Sequence, residues 1–311
     1  MTSGLRIVFF GTPEFAAFIL RELVQNGENI VGIVTTPEKP QGRGRKVKAS
    51  AVQQVASELG ILVWTPEHHR DPAFLKELAE RNADVFIVVA YKILPKEVFE
   101  IPRLGAFNIH ASLLPKYRGA APINWAIIRG ECETGITTFL LDEKVDTGKK
   151  LLARSIPIGP NETAGELHDR LMVLGAEVAL ETVRGLAAGS LHPEPQPNEG
   201  ATTAPKLFPK DCEIDFHRPA REVHNFIRGL SPHPGAVAMV RDVRLKILRS
   251  ALRSEGPPKL PAGTFRISDD TTRLFAGTID DTIEILELQR EGKRAMTAEE
   301  FLRGNRELFT S

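Results

Sequence analysis

The chain has 311 residues, 42% of them hydrophobic and 26% charged, with a formal net charge of zero. That is the composition of a folded globular protein with room for one large domain or two ordinary ones. It excludes nucleic-acid binding through bulk charge, so any polyanion contact must come from a local basic patch.

Two cysteines, Cys132 and Cys212, lie far apart without CxxC or Cys/His metal spacing. A disulfide framework and a zinc site are therefore not expected, and a reducing compartment is. The first apolar run starts at Leu5, which leaves no room for a leader peptide, and no segment approaches the ~18 apolar residues of a membrane span. A cytoplasmic protein is expected.

LRIVFF reads as a buried strand that runs into Gly11, with Thr12 as N-cap and Pro13 as first residue of the helix EFAAFILRELVQNG. NIVGIVTT is a second strand, and the helix AVQQVASELG leads into ILVWT. The helix DPAFLKELAERN then precedes ADVFIVVA, GAFNIHA, a helix at PINWAIIRG and the strand GITTFLLD. Short runs rich in Val and Ile, separated by helices, predict an α/β fold with a doubly wound, mostly parallel sheet. A capping box at Thr163 and Glu166 opens a long helix to about Ala188.

From Gly189 to Pro205 the chain is rich in Pro, Gly, Thr and polar residues, which predicts a linker. Beyond it come the helix REVHNFIRGL, the short strands in AVAMVRDVRLKIL, GTFRI, RLFAGT and DTIEILELQ, and a capped helix from Thr297. These predict a smaller, OB-like β-barrel. The division expected is thus 1–188, a linker at 189–206, and 207–311.

No nucleotide motif is complete. GTPEFA lacks the glycines of GxGxxG, GRGRK has Val47 where a third glycine belongs, and DTGKK has Lys150 where magnesium chemistry needs Ser or Thr. Period-two alternation in GAFNIHA instead puts Asn108 and His110 on one side of a strand end, where ligands bind in open α/β sheets. Asn offers a neutral donor to a developing oxyanion, and His exchanges protons near neutral pH. Asp146, after GITTFLLD, is placed to reach the same rim and fix the histidine tautomer. No Ser or Cys stands out as an activated nucleophile, so direct attack by an amine substrate is the simpler scheme.

FNIHASLLPKYRGAAPINWAI with VDTG downstream resembles the formyltransferases that use 10-formyltetrahydrofolate. The likeness is nearly end to end: IVFFGTPEFA, TTPEKPQGRGRK, VVAYKILPKEV, APKLFPKDCEIDF, RGLSPHPGA and LQREGKRAMTAEEFLRG match in order. The resemblance implies a Rossmann-like catalytic domain and a C-terminal barrel. It implies Asn108, His110 and Asp146 as the catalytic trio, with Ser112, Leu113, Leu114 and Pro115 contacting the folate.

The subgroup most similar formylates the α-amine of methionine on initiator tRNA, with no metal, so a monomer acting on charged initiator Met-tRNA is expected. Arg43, Arg45, Lys46 and Lys48 resemble that subgroup's tRNA-inserting loop. Arg244 and Lys246 would project from the barrel opposite Val243, Leu245 and Ile247, with Arg241 and Arg249 as weaker candidates. Whether His110 acts as base or oxyanion donor stays open.

Asn124, Trp125 and His233 depart from the subgroup's common pattern, the first two toward relatives that hydrolyse formyltetrahydrofolate or formylate an aminosugar. Those two enzyme classes, and a non-enzymatic RNA-binding scaffold, are the alternatives. The basic loop, linker and barrel argue against the small-acceptor enzymes, and the intact trio against the scaffold.

Overall fold

A computed structural model describes residues 2–41, 46–253 and 259–310. The first elements are β1 (Arg6–Gly11), α1 (Glu14–Gln25), β2 (Asn29–Val34), a hairpin of β3 (Lys39–Gln41) and β4 (Lys46–Lys48), α2 (Ala51–Leu59) and β5 (Val63–Trp64). Then come α3 (Pro72–Glu80), β6 (Val85–Val89), α4 (Lys96–Phe99), β7 (Ala106–His110), β8 (Arg118–Gly119), α5 (Pro122–Ile128), β9 (Glu133–Leu140), β10 (Lys150–Pro157), α6 (Ala164–Ala187) and β11 (Thr203–Ala204).

The main sheet has seven strands in the order β10-β9-β7-β6-β1-β2-β5. The run from β5 to β7 is parallel throughout, as the unbroken apolar strands predict, while β9 joins β7 antiparallel. Every residue of β6 is buried, because helices cover both faces of such a sheet.

Side-chain caps set several helix starts. The Ser50 hydroxyl accepts from Gln53 N at α2, and Asp71 accepts from Ala73 N at α3. At α6, Thr163 N donates to Glu166 at 2.9 Å while Glu166 N donates back to the Thr163 hydroxyl at 3.3 Å. The expected Thr12 cap does not form. Pro13 is the N-cap residue in extended backbone, its carbonyl takes the amides of Ala16 and Ala17, and the buried Thr12 hydroxyl has no partner among the described residues. The fixed φ of proline suits a residue just outside the helix as well as one just inside, which moves the start by one position.

Contacts divide the chain into two units that are discontinuous in sequence, where the sequence suggests one cut at 189–206. The first comprises Met1–Gly119, Gly135–Ile156 and Asp169–Thr203; the second comprises Ala120–Thr134, Pro157–His168 and Ala204–Ser311. In the second, α5 packs on α7 (Ala220–Leu230). A Cβ on Gly229 would sit 2.6 Å from Ile128, and Asn124 Nδ2 donates to Gly229 O at 2.7 Å.

The rest of the second unit is an open antiparallel half-barrel. Its strands are β12 (Ala236–Val240), β13 (Val243–Leu252), β14 (Phe265–Ile267), β15 (Leu274–Gly277), β16 (Thr282–Arg290) and β17 (Ala295–Thr297), and α8 (Ala298–Asn305) follows. They run in the order β12-β13-β16-β15-β14, with β17 on β16. Leu245, Ile247, Ile285, Phe301 and, from α7, Val223 and Ile227 fill its core. Among the described residues no helix is long and apolar enough to cross a membrane.

Candidate active site

Strand β7 lies between β6 and β9, with Asn108 paired to Val88 and Phe139 and His110 paired to Thr137. Phe107 and Ile109 are buried and Asn108 is half-buried, so the strand carries its polar residues inside the layer rather than on a wet face. His110, only 7% exposed, ends the strand with its ring edge-on to Phe139.

His110 Nε2 lies 2.9 Å from Tyr117 O. A carbonyl only accepts, so Nε2 carries the proton and the tautomer is fixed. In the neutral ring the lone pair is then on Nδ1. That nitrogen faces Asp146 Oδ2 at 3.9 Å, beyond hydrogen-bond reach. The expected role of Asp146 in fixing the tautomer thus falls instead to the backbone of Tyr117. Asp146 Oδ2 is itself held by Gly119 N at 2.8 Å.

Three non-glycine residues at this rim adopt left-handed backbone: Ala90, Tyr117 (φ 62°) and Asp146 (φ 55°). Such conformations persist only where the surroundings impose them, and they cluster at functional sites. The glycine of VDTG is equally constrained, because a Cβ on Gly148 would lie 1.6 Å from Leu140 O. At the neighbouring strand ends His69 Nε2 lies 2.9 Å from the Tyr91 hydroxyl. Burial raises the Tyr91 phenol and lowers His69, so the pair is neutral.

In the SLLP segment the Ser112 hydroxyl donates to Lys116 O at 2.7 Å, so it shapes the loop itself. Thr137, which the sequence reading passed over, donates its hydroxyl to Ser112 O at 2.7 Å and accepts from Leu114 N at 3.1 Å. Leu114 is buried, while Leu113 and Pro115 stay half-exposed.

The basic candidates separate. Arg43 and Arg45 lie outside the described residues. Lys46 and Lys48 stand on β4, opposite Gln41 and Lys39, and their side chains too lie outside the description. Arg244 is exposed on β13 beside Met239. Lys246 does not project freely as expected: it is half-buried, its stem packs over Gly235, and Nζ donates to Pro234 O at 2.7 Å. Arg249 pairs with Glu166 and Glu287, and Arg241 donates to Thr310 O.

The two unusual residues of α5 have structural partners. Asn124 ties α5 to α7, and Trp125 Nε1 donates to Pro205 O at 2.8 Å while its ring stacks under Arg129.

Comparison with known proteins gives matching family models over both parts of the chain, one described as formyl transferase at residues 5–183 and one as formyl transferase, C-terminal domain, at 206–306. The methionyl-tRNA formyltransferase of Bacteroides thetaiotaomicron is 43% identical, over 97% of this chain and 96% of its own. That of Caldanaerobacter subterraneus subsp. tengcongensis is 46% identical, over 97% of each chain. The solved structure of HypX from Aquifex aeolicus in complex with tetrahydrofolic acid shares the fold, with a TM-score of 0.65 at 18% identity. It covers 96% of this chain but 47% of its own, so the chain spans about half the length of HypX.

Proposed function

The chain belongs to the formyl transferase family, and from that premise we propose that it moves the formyl group of 10-formyltetrahydrofolate to the α-amine of methionine on initiator tRNA. The observation that carries the reading is that the 43–46% identity to methionyl-tRNA formyltransferases runs through nearly the whole chain, barrel included. The reaction is placed in residues 1–188 and tRNA contact in 207–311 and the β3–β4 hairpin. Folate and charged tRNA meet in the cytoplasm, where a monomer suffices because the trio comes from one chain.

The site supplies the chemistry. The neutral amine attacks the formyl carbon, charge builds on the formyl oxygen, and Asn108 donates to it. One well-placed donor of this kind lowers the barrier by roughly 3–4 kcal/mol. His110 has its only N–H on Tyr117 O, so it acts as the base. Nδ1 accepts the amine proton, and Asp146 closes from 3.9 Å to stabilise the imidazolium that forms. The new C–N bond is complete when the bond to the folate nitrogen breaks and that nitrogen takes the proton from His110. No group of three His, Cys, Asp or Glu among the described residues is arranged to hold a metal, and no step calls for one. Leu113 and Pro115 offer the half-exposed apolar faces for the folate, on a loop held by Ser112, Leu114 and Thr137. Arg43, Arg45, Lys46, Lys48 and Arg244 meet phosphates.

The test is transfer of labelled formyl from 10-formyltetrahydrofolate to methionine-charged initiator tRNA, with uncharged tRNA and His110→Ala alongside. The proposal expects labelled formyl-Met-tRNA from the unaltered chain with charged tRNA only. Labelled free formate with no labelled tRNA would make water the acceptor and overturn it.

A further inference from the structure

Residues 189–203, rich in Pro and polar side chains, pack within the first unit. Their bonds converge on the segment that fixes His110 and Asp146. Thr202 accepts Tyr117 N–H on its hydroxyl at 2.9 Å and Arg118 N–H on its carbonyl at 2.9 Å. Gln196 Nε2 donates to Asp146 O at 3.1 Å and to Gly148 O at 2.8 Å, while its Oε1 accepts from Arg118 Nη2 at 2.8 Å. Upstream, Glu194 and Lys150 exchange both backbone bonds at 2.8 and 2.9 Å, anchoring the start of the segment on the edge strand β10.

Between these two side chains lie the groups that define the reacting pair. Tyr117 O orients His110 Nε2, and Gly119 N holds Asp146 Oδ2. We propose that residues 194–202 are a positioning strap, with Thr202 fixing the His110 tautomer through Tyr117 and Gln196 fixing the backbone of Asp146. This rests on the formyl-transfer reading for its kinetic test only.

The physical argument is local. Tyr117 is buried with φ 62°, a strained conformation for a non-glycine residue that needs an external restraint. Its amide has Thr202 as that restraint. Remove the hydroxyl and the buried amide loses its acceptor. The Lys116–Tyr117 peptide then turns about the Tyr117 φ bond, and the Tyr117 carbonyl on the far side of that Cα shifts off Nε2, although Arg118 N still reaches Thr202 O. His110 is freed to place its proton on either nitrogen, and the ring with Nδ1 protonated cannot act as the base. Gln196 does the same for the VDTG turn, where four bonds to one side-chain amide hold residues 118, 146 and 148 together.

The test uses Thr202→Val, which keeps the shape and deletes the acceptor, and Thr202→Ser, which restores it. The first readout is the imidazole nitrogen spectrum of His110, assigned by its loss in His110→Asn. The second is kcat against KM for both substrates. The strap predicts a single Nε2-protonated signal in the unaltered chain and in Thr202→Ser, and a mixed-tautomer signal in Thr202→Val. It also predicts a kcat at least about tenfold lower for Thr202→Val with both KM values within about twofold, since small misplacements of a reacting group act on turnover. An unchanged His110 signal in folded Thr202→Val, or a Thr202→Ser chain as impaired as Thr202→Val, would overturn it. If the unaltered chain transfers no formyl group, the functional reading falls and the nitrogen spectrum alone judges the strap.

Discussion

Two buried histidines, one in each unit, are built alike on one side and differently on the other. His110 and His224 are 7% and 2% exposed. Each gives Nε2–H to a backbone carbonyl, Tyr117 O at 2.9 Å and Pro160 O at 3.1 Å. The Nδ1 of His224 then accepts from the Ser250 hydroxyl at 3.0 Å, so the ring is saturated. The Nδ1 of His110 faces, among the described residues, a carboxylate at 3.9 Å. The same tautomer thus serves as a structural joint in α7 and, in the proposed mechanism, as the base at the rim of the parallel sheet. Burial alone does not separate the two; what Nδ1 meets does.

The hardest way to break this contrast is Asp146→Asn, which keeps shape and removes the charge that the proposed mechanism sets against the imidazolium. Turnover should fall by about 10² or more with folding intact, as measured by single-turnover transfer and a melting curve. Next is Gly148→Ala. With Leu140 O 1.6 Å from the added Cβ, the turn must move, and a loss of about 3 kcal/mol in denaturant stability is expected.

A smaller effect tests the structural histidine. Burial, assisted by Arg228 and Arg221, lowers His224 below its ordinary 6.5, although the Pro160 carbonyl opposes the shift. Below 6.5 the unfolded chain takes up a proton before the native one does, so stability falls with pH across that window and is level above it. Denaturant midpoints at pH 5 and 7.5 should differ more in the unaltered chain than in His224→Gln. The smallest effect expected is on Arg244→Ala, which should weaken tRNA binding severalfold and reduce the salt slope by about 1. Lys246→Met should change that slope less, because its ammonium already serves Pro234 O.

Much of the parallel sheet is legible in the sequence because strands buried on both faces are unbroken apolar runs, as VFIVV shows. Strand β10 escapes that reading: its KLLARSIP is an edge strand with exposed, charged positions and no clean alternation. Asn108, His110 and Asp146 stand out by residue type at strand ends. Tyr117 and Gly119 do not, since they act through backbone atoms, and a backbone group leaves no mark on residue choice. Gln196 and Thr202 sit in a stretch that reads as a linker, because order built from side-chain-to-backbone bonds has no period to detect. The interleaving of the two units is equally hidden, since the pairing of α5 with α7 joins segments about a hundred residues apart, as Asn124 and Gly229 show.

The most direct test of the contrast is a side-by-side single-turnover measurement of formyl transfer to charged initiator tRNA by Asp146→Asn and His224→Gln, each checked for folding. The account predicts a fall of about 10² or more for the first and a rate within about twofold of the unaltered chain for the second. Equal falls, or near-normal transfer by Asp146→Asn, would contradict it.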